Sequence, residues 1–186
     1  MPSHRAPAAF AAATVAALAL LGQATGTAAA ADTSVTVQQN QRIQSWAESG
    51  QYNQDMRPAT VFTVPGNQDA NGQKVNASYW FGNADQNFNV YERGGQVVIA
   101  HNGYVLDQDV PTGKVQLWQA FGGDQALNTL QIPDNQRWRV LYKDQQGWSQ
   151  LQNIATGKCL KTNGRDQALT AGDCNTGDAT QWWQQF

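Results

Sequence analysis

The sequence predicts an all-β fold, a sandwich or barrel of short strands, on three observations. After Ala31 there is no convincing 3.6-residue apolar period. Short β-rich runs recur instead: Thr60-Val61-Phe62-Thr63-Val64, Gln96-Val97-Val98-Ile99, Val115-Gln116-Leu117-Trp118 and Trp138-Arg139-Val140-Leu141-Tyr142, punctuated by Gly, Asn, Asp and Pro. A Gln-x-aromatic pattern occurs three times, as Gln86-Asn87-Phe88, Gln136-Arg137-Trp138 and Gln181-Trp182-Trp183, at separations of 50 and 45 residues.

Each pattern follows a matching upstream element. The first copy has Val61-Phe62-Thr63-Val64-Pro65-Gly66, then Ala70-Asn71-Gly72-Gln73-Lys74-Val75. The second has Gly103-Tyr104-Val105-Leu106-Asp107, then Gly113-Lys114-Val115-Gln116-Leu117-Trp118. The third has Gly157-Lys158-Cys159-Leu160-Lys161, then Cys174-Asn175-Thr176. In a strand, residues i and i+2 face the same way, so Gln and the aromatic of each motif are expected to point inward together. The ring supplies buried area, and a buried Gln amide must find backbone partners. Three such units, none able to bury a face alone, would share one core.

Composition bounds the function. The 186 residues hold 12 Lys+Arg against 14 Asp+Glu, with no basic run, which is not the footprint of a nucleic-acid binder. Two Cys cannot build a four-thiolate zinc site. His101 stands alone and is expected at a surface or turn, and supports neither a metal site nor a triad.

Residues 1–31 read as a secretory signal. His4 and Arg5 give a short basic start, Ala8 to Leu21 an apolar stretch, and Ala29-x-Ala31 a cleavage site. Gln23, Thr25 and Thr27 interrupt the apolar run and shorten it below a membrane span, so no membrane insertion is expected after cleavage. Removing 31 of 186 residues leaves 155, enough for one domain with a core, and loss of Arg5 takes the formal charge from −2 to −3. In an oxidising destination Cys159 and Cys174 default to a disulfide, with a free thiol pair as the alternative.

The three closures and their upstream elements resemble the ricin B-chain-type lectin domain of secreted bacterial proteins, a β-trefoil of three pseudo-repeats ending in Gln-x-Trp. The match is most specific after Gly103. It is especially close in Gly157-Lys158-Cys159-Leu160-Lys161-Thr162, Asp173-Cys174-Asn175-Thr176 and Asp178-Ala179-Thr180-Gln181-Trp182-Trp183. It implies a trefoil over 32–186, with repeats about 32–91, 92–141 and 142–186. Residues Asp32 to Ala59 would supply the opening strands, although their own match is weak. It also implies secreted, non-catalytic carbohydrate binding with no cofactor.

Carried over position by position, the family's sugar site is complete in the second repeat: Asp107, Gln116, Trp118, Asn135 and Gln136. A carboxylate accepts from two neighbouring hydroxyls, Asn both donates and accepts, and Trp118 offers a flat face to a sugar's C–H surface. Gln136 is expected to buttress rather than touch sugar. In the first repeat Thr63, Asn76 and Ser78 replace the Asp, Gln and aromatic. In the third, Lys161 replaces the Asp and Gly172 stands near the aromatic position, so that repeat looks structural, stapled by Cys159–Cys174. Phe121 to Pro133 forms an insertion beside the site, and Asp124-Gln125 within it competes with Asn135-Gln136 for the Asn-Gln role.

Other readings of the same residues remain. Asp107 could cap a turn, and Asp109 competes for the carboxylate role. Trp138 and Trp183 are expected in the core and Trp118 exposed. Asn76-Ala77-Ser78 matches a glycosylation acceptor. A glycosidase needs two facing carboxyl groups. Glu48 and Glu92 are the only Glu residues and neither lies in the motif, so no enzyme is expected; Asp107 and Asp109 are the remaining pair. The alternative function is a trefoil that binds a protein partner, as an inhibitor or toxin-associated subunit.

Overall fold

The computed structural model describes residues 34–49 and 60–185; the expected signal segment, 1–31, lies outside them. The first repeat contains β1 (Thr36–Gln41), β2 (Ile43–Ser45), α1 (Trp46–Ser49), β3 (Thr60–Thr63), β4 (Gln73–Lys74), β5 (Asn76–Tyr79) and β6 (Phe88–Arg93). The second contains β7 (Gln96–His101), β8 (Tyr104–Gln108), β9 (Val115–Gln119), α2 (Gly123–Thr129) and β10 (Trp138–Lys143). The third contains β11 (Ser149–Asn153), β12 (Cys159–Lys161), β13 (Thr170–Gly172) and β14 (Trp183–Gln185).

Strand pairing closes a ring. β1 pairs with β6, β6 with β7, β7 with β10, β10 with β11, β11 with β14, and β14 with β2. Because β1 and β2 are one strand interrupted at Arg42, this is a barrel without free edges. Three antiparallel hairpins, β3–β5, β8–β9 and β12–β13, cap it. The fold is a β-trefoil. Two hairpins turn on two residues with positive φ, Gly94-Gly95 (58° and 74°) and Asn102-Gly103 (47° and 84°), the dihedrals of a turn whose twist matches the flanking strands.

The repeats converge on one core. Phe62 meets Phe88 and Trp183 edge to face, at ring-centroid distances of 5.8 and 4.9 Å. Trp138 and Trp183, at 0% and 1% exposure, donate their indole N–H groups to Leu106 O and Leu160 O, each at 3.0 Å. Both strands therefore fix a capping hairpin to the barrel by the same bond. Full burial of side chains of this size stabilises by about 1.5–3 kcal/mol each.

The three motif glutamines are buried, but not on strands. Each ends a 3-10 turn just before the aromatic: Ala84–Gln86, Asp134–Gln136 and Ala179–Gln181. The expected i, i+2 strand geometry is thus corrected. The turn bends the chain back so that its last side chain points inward beside the first residue of the strand. Gln86 Nε2 donates to Tyr79 O (2.7 Å) and Thr63 Oγ1 (3.0 Å), and its Oε1 accepts from Phe81 N and Gly82 N. Gln181 Nε2 donates to Asp173 O (2.8 Å), and its Oε1 accepts from Asn175 N (2.9 Å).

Two further expectations are revised. His101 is 2% exposed at the end of β7, not a surface residue. Its Nδ1 lies 2.6 Å from Asp69 Oδ1 and its Nε2 3.2 Å from Ala84 O, which ties the loop after β3 to the barrel. The insertion from Phe121 to Pro133 contains α2, which starts after Gly122 (φ 85°) and ends at Leu130 in the left-handed region. Its Ala126 and Leu127 join Val98, Ala100, Val105, Leu130 and Ile132 in a second apolar cluster outside the barrel core. Cys159 and Cys174 form a disulfide. Among the described residues, no helix is long and apolar enough to cross a membrane.

Candidate functional site

The capping hairpin of the second repeat positions the polar set. In the β8–β9 register Asp107 pairs with Gln116 and Val105 with Trp118. Leu106 and Leu117, paired with each other and 0% exposed, turn into the barrel core, so alternation puts Asp107, Gln116 and Trp118 together on the opposite face. Trp118 is 42% exposed. Asn135 arrives from the 3-10 turn before β10, where β11 holds it: Asn153 Nδ2 donates to Asn135 O at 2.9 Å.

These elements enclose a cleft of about 350 Å³ that all five expected residues line. Asn135 Nδ2 donates to Asp107 Oδ2 at 2.7 Å, and Gln116 Nε2 to Asp107 Oδ1 at 3.3 Å. Asp107 is 4% exposed. Burial pushes its carboxyl above the ordinary carboxylate value; the amides of Gln116 and Gln136 pull the other way, and Asp109 adds to the rise. Two of about four acceptor positions on the carboxylate are used, so it can still accept from a ligand. Gln116 Oε1 and Asn135 Oδ1 are further acceptors. The arrangement presents acceptors and a flat indole to one cleft.

Gln136 differs from its two counterparts. It is 3% exposed and lines the base of the cleft. Its Nε2 makes a long bond to Gln119 O, 3.4 Å, and its Oε1 is buried without a partner. In the other repeats that oxygen accepts backbone N–H groups.

The competing candidates differ in what they bond, although Asp109 lines the same cleft as Asp107. Asp109 builds the β8–β9 turn: its carboxylate accepts from Thr112 Oγ1, its O from Gly113 N at 2.7 Å, and its N donates to Lys114 O at 2.9 Å. Asp107 caps no turn. Asp124 and Gln125 lie on α2 outside the cleft, and Asp124 raises the phenol of Tyr91, after burial, above its ordinary value. Glu92 lines a different cavity, at the mouth of the barrel, with Lys143 and Gln185; the side chain of Glu48 lies outside the described residues.

The other two caps show why their positions differ. Register places Thr63 opposite Asn76 and Val61 opposite Ser78, matching Asp107–Gln116 and Val105–Trp118. Thr63 is occupied by Gln86, and Asn76, 6% exposed, donates to Asp166 O at 3.0 Å. That burial closes Asn76 to glycosylation. In the third cap Lys161 opposes Thr170 and Cys159 opposes Gly172; Lys161 Nζ pairs with Asp178 at 3.2 Å. At these register positions neither cap has a carboxylate or an aromatic.

The sequence reading did not include Phe121, Val110, Pro111 and Pro133, which supply the apolar wall of the cleft. Phe121 is 72% exposed and opens the insertion, whose place beside the site was the available signal.

No protein-family model matches the sequence. No curated protein sequence matches it. Solved structures do resemble it. ThreeFoil, a designed threefold-symmetric protein, is 16% identical with a TM-score of 0.61, covering 78% of this chain and 96% of that one. SeviL, solved bound to asialo-GM1 saccharide, is 16% identical with a TM-score of 0.53, covering 80% and 98%. The exo-β-1,3-galactanase 1,3Gal43A of Clostridium thermocellum is 14% identical with a TM-score of 0.61, covering 79% of this chain and 30% of that one. At these identities the likeness establishes the β-trefoil fold.

Proposed function

We propose that the chain is a secreted, non-catalytic carbohydrate-binding protein whose sugar site is the cleft of the second repeat. The carrying observation is Asp107, a buried carboxylate steadied by two amides in the same cleft as an exposed Trp118. Charged acceptors hold vicinal hydroxyls, and the indole takes the apolar face of the ring. SeviL was solved with a saccharide, and the galactanase carries a trefoil within a larger chain; both support glycan recognition as the use of this fold. Secretion rests on residues 1–31 and on the disulfide.

Binding without hydrolysis fits the carboxylates. Asp109 lines the cleft, but its carboxylate accepts from Thr112 within the β8–β9 turn, and Glu92 lines another cavity. Glycan-array screening followed by calorimetry on the parent and Asp107→Ala tests the reading. The parent binds and the variant, with an unchanged circular dichroism spectrum, does not. Retained binding by the variant removes the site; reducing sugar released from a polysaccharide panel would make it an enzyme.

A second reading, a protein-binding module, draws on Trp80 and Phe81, which are 43% and 70% exposed in a first repeat lacking the sugar set. A blank array for the parent together with a defined protein partner lost in Phe81→Ser would favour it.

A further inference from the structure

Trp118 has a cleft on each side. Beyond the one holding Asp107 lies a second, of about 370 Å³, lined by Asn71, Ala120, Gly122 and Gly123. The two share a wall made of Trp118, Gln119 and Phe121. Both volumes are within the range of small-molecule clefts. The second one is assembled from two repeats: Asn71 comes from the loop between β3 and β4, and the glycines open the insertion of the second repeat.

The loop is fixed from both ends. Asn71 Oδ1 accepts from Gln119 N at 2.7 Å, Gly72 N donates to Leu117 O at 2.9 Å, and β4 pairs with β9. Asp69, two residues earlier, is held by His101 and by Asn102 Nδ2 at 2.8 Å. Asn71 thereby keeps its Nδ2 as a donor with a set position. Gly122 and Gly123 bring no side chain to the lining. A Cβ on Gly122 would lie 2.8 Å from Ala126 Cβ, whereas one on Gly123 would meet nothing within 4 Å. The surface therefore runs from acceptors at Asp107, past the exposed Trp118 and Phe121, to a donor at Asn71 beside two glycines.

We infer that this surface binds an oligosaccharide of at least two units. One sugar sits against Asp107, and the next crosses the Trp118–Phe121 wall into the cleft of Asn71 and Gly123. The inference rests on the reading of the first cleft as a sugar site. A chain of pyranoses alternates hydroxyl edges with apolar C–H faces, which is the order in which acceptors, rings and donor occur here.

Calorimetry with galactose and xylose, and with the β-linked di-, tri- and tetrasaccharides of each, tests it. In the parent, affinity in one series rises about tenfold or more from one unit to two or three. Gly123→Asn, tolerated at a φ of 61°, fills the second cleft. Asn71→Asp keeps the acceptor for Gln119 N and removes the donor. Each erases the gain with length and leaves monosaccharide affinity unchanged. Equal affinity at every length, or a gain that survives both substitutions, overturns the inference while the first cleft stands. Binding that survives Asp107→Ala, or no binding by any of these sugars, removes the first cleft and the inference together.

Discussion

Asp107 has to be ionised to accept hydroxyl protons, yet its surroundings favour the neutral acid. Its raised value has opposite consequences for binding and for folding. Stability from a group whose folded value is raised is complete below the unfolded value and is lost as pH rises through the folded one. Binding through the carboxylate needs the pH to lie above that folded value. Thermal melts of the parent and Asp107→Asn across the acid range will show the parent losing stability relative to the variant as pH rises. Calorimetry of the parent over the same range will show glycan affinity rising. Parallel trends would mean that Asp107 does not control both. At the motif glutamines, the bonds rank the costs. Gln181→Leu strands Asn175 N and Asp173 O and costs about 2–4 kcal/mol, whereas Gln136→Leu removes a long bond to Gln119 O and the amide's pull on Asp107 and costs about 1 kcal/mol. Urea unfolding of the two variants measures the difference.

The capping hairpins form from the same local rules, and one of them needed a covalent link. β12 and β13 have three residues each, against five in β8 and in β9, and the disulfide joins β12 to the segment after β13. Its loop of 15 residues stabilises by about 3 kcal/mol in the chain-entropy model. Reduction is expected to lower the melting temperature by several degrees and to leave binding at the second repeat intact, which melts and calorimetry in reductant will check. The shared face of Gln116 and Trp118 was legible because alternation sets it locally, whereas Asp107 entered through the family resemblance and its pairing with Gln116 was not legible. Nor was helix α2. Seven residues that open on a glycine carry too few apolar positions for a 3.6-residue period to emerge, and Leu127 is buried by strands from elsewhere. The burial of His101 depends on Asp69, 32 residues away, and no local pattern announces it. The glutamines were placed inward for the wrong local reason, because a strand and a 3-10 turn both hide that side chain.

Across the whole molecule, three similar units share one core and differ at their surfaces. The barrel needs all three closures, so Phe88, Trp138 and Trp183 are all buried. The caps are free to differ: one carries a carboxylate and an indole, one ties up its polar groups internally, and one is cross-linked. A single set of this kind predicts one glycan per chain, without the avidity of linked sites. Calorimetric stoichiometry near one checks this, and a value near two or three would mean that Ser78 or Gly172 positions bind without the missing groups.

The ring of strands has a topological corollary. β14 lies against β2, and Gln185 Nε2 donates to Gln38 Oε1, so the first and last described barrel strands are lateral neighbours. In such a circle the starting point is arbitrary. A chain covalently joined from Gln185 to Thr36 through a short linker and opened between Gly94 and Gly95, where an added Cβ meets no atom within 4 Å, keeps every barrel pairing. That permutant should refold and retain the cleft, making the order of the three units along the polymer a matter of descent and not of mechanics.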